Sequence, residues 1–155
     1  MKRKTLAGVV GGGAAALLLT LNPQFEGTRH VGYLDPVGVA TKCMGDTTDV
    51  VVGHRYTDAE CLASQERQLV GRGEGVLRCT PGLKGHEKQL AAAVLLASNI
   101  GVGAYCNSTI AKRFRAGDLK GGCAAFPLYN RAGGKVLPGL ARRRAAEQML
   151  CERGL

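Results

Sequence analysis

Residues 5–21 read TLAGVVGGGAAALLLTL, uncharged throughout, behind Lys2, Arg3 and Lys4 and five positions ahead of Glu26. No other feature constrains the chain as strongly, because such a run must be taken out of water. Basic residues ahead of an apolar stretch hold that end in the cytoplasm. The run is 17 residues long, just short of the roughly 20 that a helix needs to span hydrocarbon. Four glycines and four alanines dilute it. At about −0.3 to −0.6 kcal/mol for each central Leu or Val, its five leucines and two valines give roughly −2 to −4 kcal/mol before the glycines subtract. Three fates are open: cleavage as a signal peptide, retention as an anchor, or insertion followed by escape. The residues TLNPQF offer a poor small-x-small cleavage site, and the marginal insertion energy favours escape. The expected division is a signal-anchor segment, 1–22, and one folded domain, 23–155, long enough for its own core.

Six cysteines, with no CxxC pair and three histidines, point away from a metal site and toward disulfides formed in an oxidising compartment. Six cysteines allow about fifteen complete pairings, and among them closure between sequence neighbours suggests Cys43–Cys61, Cys79–Cys106 and Cys123–Cys151. The formal charge of +9 implies a polyanionic partner. With no Trp, three Phe and four Tyr available for base stacking, nucleic acid is disfavoured. Anionic cell-envelope polymers account for the charge equally well.

Residues 32–56 are rich in Gly, Val and Thr, with turn signals at Asp35-Pro36 and Gly45-Asp46, and read as a small sheet. Thr57 and Glu60 form a capping box that opens a helix to about Val70. GRGEG (71–75) reads as a flexible break and not as a phosphate loop, since no Lys-Ser/Thr follows. The stretch 86–100 is apolar almost all round in its second half, as a buried central helix would be. GVGAY (101–105) reads as a turn. Ser108 caps a helix to Arg115, Gly117 closes it, and Asp118 caps the next through about Phe126. Pro138 starts and Gly154 stops the last helix. Its run Arg142-Arg143-Arg144 reads as a solvated face. The fold class expected is α+β, a small N-terminal sheet lobe and a larger helical lobe with a cleft between them.

Glu26, Asp35 and Thr41 stand at the spacing Glu-x8-Asp-x5-Thr. Two carboxylates flanking a cleft, one protonated and one ionised, are the equipment for glycosidic hydrolysis. A Glu ending a helix and an Asp beside a turn see different surroundings, as acid and base require. By itself the triplet is common.

Its surroundings are not. FEGTRHVGYLDPVGVATKCMG (25–45) resembles the catalytic segment of phage-type lysozymes, glycoside hydrolase family 24. GHRYTDAECLASQERQL, ASNIGVGAYCNSTIAKRF and AGGKVLPGLARRRAAEQMLC are similar to later family stretches, in the same order. With the Gly/Ala-rich start, the chain looks most like the endolysins that carry a signal-anchor-release segment. The resemblance implies Glu26 as general acid, Asp35 orienting or deprotonating the water, and Thr41 helping to hold it. The bond implied is that between N-acetylmuramic acid and N-acetylglucosamine in peptidoglycan, cut with inversion and without metal or cofactor. It also implies export through the host Sec translocon, a tether in the inner membrane through residues 5–21, and release to the periplasm as a monomer. A holin or pinholin would act indirectly, by depolarising the membrane. Tyr129 stands where an aromatic precedes the Ala-Gly-Gly motif and is a candidate to touch sugar or pack; Ser108 is a second candidate for substrate binding. The chain departs from the family at Cys43-Met44-Gly45-Asp46, where many members read Gly-x-Gly-His. A non-catalytic module that holds peptidoglycan on the same fold is the rival reading.

Overall fold

Thr5 accepts a hydrogen bond from the Gly8 amide and starts a short helix, α1 (Leu6–Val10). Gly11, at φ +90°, turns the chain into α2 (Gly12–Glu26). The apolar run is therefore broken in two. In this computed structural model, which describes residues 2–155, no described helix is long and apolar enough to cross a membrane. Leu6, Val10, Ala14, Ala15 and Leu18 are buried in the main core. The run leaves water by packing against two later helices, Asp58–Cys79 and Glu87–Ile100, and α2 continues unbroken through residues 22 and 23.

Gly27 (φ +68°) ends α2 and leads into an antiparallel hairpin of β1 (Arg29–Leu34) and β2 (Ala40–Cys43), with Tyr33 opposite Thr41. The loop after it folds back on β1, where the Gly32 amide donates to the His54 carbonyl at 2.9 Å. This is the small sheet lobe. Thr57 and Glu60 form the expected capping box, and α3 (Asp58–Cys79) carries the chain from the sheet lobe into the helical one. It does not stop at Val70. GRGEG is helical, which corrects the reading of a break: a Cβ on Gly73 would come within 2.7 Å of Val10, and one on Gly75 within 2.6 Å of Val102. These glycines are close-approach sites, and the burial they permit outweighs a helix-propensity cost of about 1 kcal/mol each.

The helix α4 (Glu87–Ile100) is the central one expected, with Leu90 through Ala97 sealed from solvent. α2, α3 and the last helix, Pro138–Arg153, pack around it. Residues 101–105 do not form a simple turn; after Gly101 they make one more helix, α5 (Val102–Cys106). Ser108 caps α6 (Thr109–Arg115), and Asp118 caps α7 (Leu119–Ala124). α7 is shorter than expected, with a 3-10 turn following at Phe126–Tyr129. A two-residue pairing of β3 (Arg131–Ala132) with β4 (Lys135–Val136) precedes α8 (Pro138–Arg153). All three expected disulfides are present: Cys43–Cys61, Cys79–Cys106 and Cys123–Cys151. The first staples the sheet lobe to α3, and the last joins α7 to α8.

Candidate active site

Glu26 is the last residue of α2. A carboxylate there faces the negative end of the helix dipole, and Arg143 of α8 supplies the counter-charge at 2.9 Å. Arg143 is itself held on several sides. It donates to the Leu95 carbonyl of α4 at 3.0 Å and reaches Glu147 at 3.3 Å, and its guanidinium lies 5.0 Å from the centre of the Phe25 ring. Glu26 lines a polar crevice with Asn22, Met44, Gly45, Gln68, Arg72 and Ser98. The crevice thus gathers α2, α3, α4 and the turn after β2. Its volume is about 70 Å³. Arg72 is half-buried there, which lowers its pKa against the pull of Glu26 and Asp46.

Asp35 and Thr41 share the hairpin. One oxygen of Asp35, Oδ1, accepts the amides of Val37 (3.0 Å) and Val39 (2.8 Å). The buried Thr41 hydroxyl donates to the Val39 carbonyl at 3.0 Å. Val39 therefore links the two side chains, and the turn pre-sets the direction of the Asp35 carboxyl. Glu26 joins the hairpin through only Gly27 and Thr28.

Ser108 is buried, donating to the Tyr105 carbonyl (2.6 Å) while it caps α6. The Tyr129 hydroxyl accepts the Thr109 amide at 2.8 Å. Both side chains are thus occupied within the helical lobe.

Arg143 and Arg144 are buried, not solvated, which corrects the reading of that triplet. Arg144 donates to Asn99 at 2.8 Å, and its Nε lies 2.7 Å from Glu147, out of line for a hydrogen bond. Burial lowers the Arg144 pKa against the attraction of Glu147. Burial also pushes the Glu147 carboxyl up to about 7, against the charges of Arg144 and Arg143. Only Glu147, three and four residues along the helix, hinted from sequence that these arginines face inward.

The departure at 43–46 has a local explanation. Cys43 adopts φ +55°, the left-handed region that glycine enters freely, and is held there by its disulfide to α3. Asp46 is buried and accepts from Ser64 (2.5 Å), Arg67 (2.8 Å) and the Thr48 amide (2.9 Å). Burial pushes its pKa up, but the hydrogen bonds of Ser64 and Thr48 and the charge of Arg67 outweigh that and hold it below the usual value. Ser64 and Arg67 belong to α3, so Asp46 ties the turn after β2 to that helix.

The profile of the family described as phage lysozyme matches residues 23–147. The SAR-endolysin of Enterobacteria phage P21 is 35% identical, with 96% of this chain and 94% of the relative aligned. Among solved structures, the active form of the P1 phage endolysin Lyz superposes with a TM-score of 0.79 at 25% identity, covering 94% of this chain and 86% of that one. The secreted inactive form of the same protein gives 0.57 at 19% identity, over 94% and 96% of the two chains. The muramidase domain of SpmX from Asticaccaulis excentricus gives 0.70 at 25% identity, over 86% and 92%. The fold is lysozyme-like, and the matched span takes in the helix end, the hairpin and the buried arginines together. A lysozyme-type glycosidase is what such relatives support, and this chain belongs to the phage lysozyme family.

Proposed function

We propose that the protein is an endolysin that hydrolyses the β-1,4 bond between N-acetylmuramic acid and N-acetylglucosamine in peptidoglycan, lysing the host cell. Glu26 donates a proton to the glycosidic oxygen as that bond breaks. A water attacks the anomeric carbon from the opposite face and passes its proton to Asp35. Oδ1 of Asp35 is engaged by two backbone amides, which leaves Oδ2 for the water. Thr41, whose own proton is committed to Val39, offers its lone pairs to the same water. Inversion requires room for that water, with carboxyls about 6.5–9.5 Å apart.

The same polypeptide run accounts for export and control. Residues 5–21 engage the Sec translocon, hold the enzyme in the inner membrane with its N-terminus cytoplasmic, and later escape to the periplasm. Loss of membrane potential, brought about by a holin or pinholin, favours the exit. Each of the basic residues that must cross is worth about 2.3 kcal/mol per 100 mV. The observation that carries this reading is that Glu26 ends the helix whose earlier turns are built from the run itself. While those turns lie in lipid, α2 is withdrawn from α4 and Glu26 from Arg143. Docking of the run completes the site.

The test is purified protein assayed on isolated peptidoglycan. Glu26→Gln keeps the shape and removes the transferable proton, so activity is expected to fall by about 10²–10⁴-fold with the fold retained. Asp35→Asn should be severely impaired and Thr41→Ala measurably so. Wild-type rates from folded Glu26→Gln protein would refute the assignment. Binding of glycan without cleavage by the wild type would replace it with a non-catalytic module.

A further inference from the structure

The helix α8 carries a buried cluster of charged side chains, Arg143, Arg144 and Glu147. Arg143 and Arg144 bring two guanidinium groups into the helical lobe, and Glu147, fully buried, brings the carboxyl that faces both. The remaining anion within reach is Glu26. Glu147 reaches the Nε of Arg143 at 3.3 Å, while Nη1 of the same guanidinium contacts Glu26 at 2.9 Å. The Leu95 carbonyl takes Nη2 at 3.0 Å, and Phe25 lies against the guanidinium. Thus one planar group bridges a buried carboxylate and the carboxylate in the cleft.

We propose that Glu147 is a positioning residue for the glycosidase reaction: it orients Arg143 and takes a share of its charge, so that Arg143 fixes Glu26 without stripping the proton Glu26 must donate. The proposal rests on the reading of Glu26 as general acid. A guanidinium with a single anionic partner favours the ionised form of that partner, whereas one shared between two carboxylates exerts a weaker pull on each. The charged groups facing Glu26 are Arg72 from α3 and Arg143 from α8, with Arg144 and Glu147 behind. From α4 the crevice receives Ser98, which is neutral. Glu147 opposes Arg143 and Arg144, while Asp46 opposes Arg72.

Glu147→Gln keeps the shape and removes the charge. Arg143 stays anchored to Leu95 and Phe25 and is left with Glu26 as its one anion. In the full-length released enzyme on solubilised peptidoglycan, kcat near neutral pH is expected to fall about tenfold, with KM changed less than about twofold. The alkaline limb of the pH–activity profile should move about one unit lower, since a tenfold rate loss and one unit of pH correspond. A second variant separates positioning from stability. Glu147→Gln with Arg144→Met removes one buried cation together with the buried anion, so the fold regains its charge balance while Arg143 still lacks Glu147. It should melt close to wild type and keep the lowered kcat and the displaced limb. This double variant carries the test if the single one fails to fold.

Wild-type kcat and an unmoved limb in the double variant would overturn the proposal and leave Glu147 as the neutraliser of Arg144. An unmoved limb in folded Glu147→Gln would overturn it too. Failure of the glycosidase reading itself looks different: wild-type protein would be inactive, or Glu26→Gln fully active.

Discussion

Ala14 and Ala16 sit two residues apart in the same apolar run, yet the fold treats them oppositely. Ala14 is sealed in the core and Ala16 is exposed. In a bilayer the two positions are nearly equivalent, so a leucine at either strengthens insertion by about the same amount, up to roughly 0.6 kcal/mol. Export and the delay before release should therefore change alike in Ala14→Leu and Ala16→Leu. The docked state separates them. Ala14 packs in the cluster that includes Leu18 and the alanine-rich face of α4, which leaves no room for three added carbons, and overpacking of that kind costs about 1–3 kcal/mol. At Ala16 the added side chain meets solvent, and the change in helix propensity is only about a few tenths of a kcal/mol. For a domain of this size, 1 kcal/mol moves Tm by roughly 2–4 °C. Released Ala14→Leu protein should thus melt about 2–12 °C below Ala16→Leu, with reduced glycan hydrolysis at about 37 °C. Thermal melts of the two purified proteins, with membrane fractionation of cells expressing each, make the comparison. Equal melting and equal activity would show that the docked run is no part of the working enzyme.

The Cys43–Cys61 bridge closes a loop with a sequence separation of 18, a contribution of about 3 kcal/mol in the chain-entropy model. Cys43→Gly with Cys61→Ala also relieves a left-handed residue, worth about 1–2 kcal/mol. The net loss should be about 1–2 kcal/mol in denaturant titrations, and a loss of 3 kcal/mol or more would mean that the backbone at 43 carries no such cost. Asp46 has its pKa held below the unfolded value of 3.8. Its stabilisation is therefore full above that value and is lost as pH falls through the lower folded one. Asp46→Asn should flatten the stability curve below about pH 4 and cost roughly 3 kcal/mol at neutral pH, as loss of a buried, hydrogen-bonded charge does; an unchanged acid limb would contradict the assignment.

The features legible from sequence are the ones set by neighbours along the chain. The Thr57–Glu60 box, the Ser108 and Asp118 caps and the Pro138 start satisfy backbone groups within a few residues, so each reads directly. The disulfides followed from closure between sequence neighbours, which costs the least chain entropy. The triplet Glu26, Asp35 and Thr41 gained meaning only through the family resemblance around it. Other features depend on partners from distant parts of the chain. GRGEG is helical because Val10 and Val102 occupy the space beside Gly73 and Gly75, and propensity cannot register a contact made by the other element. Arg143 and Arg144 looked solvated because the carboxylates and carbonyls that receive them come from α2 and α4 as well as from α8. The run 5–21 shows the division most clearly. Its composition determined that it must be sheltered from water, but a bilayer and a protein core both shelter it. Only the tertiary structure, by offering α3 and α4 as a surface to Leu6, Val10, Ala14 and Leu18, decided that it packs as part of the folded core.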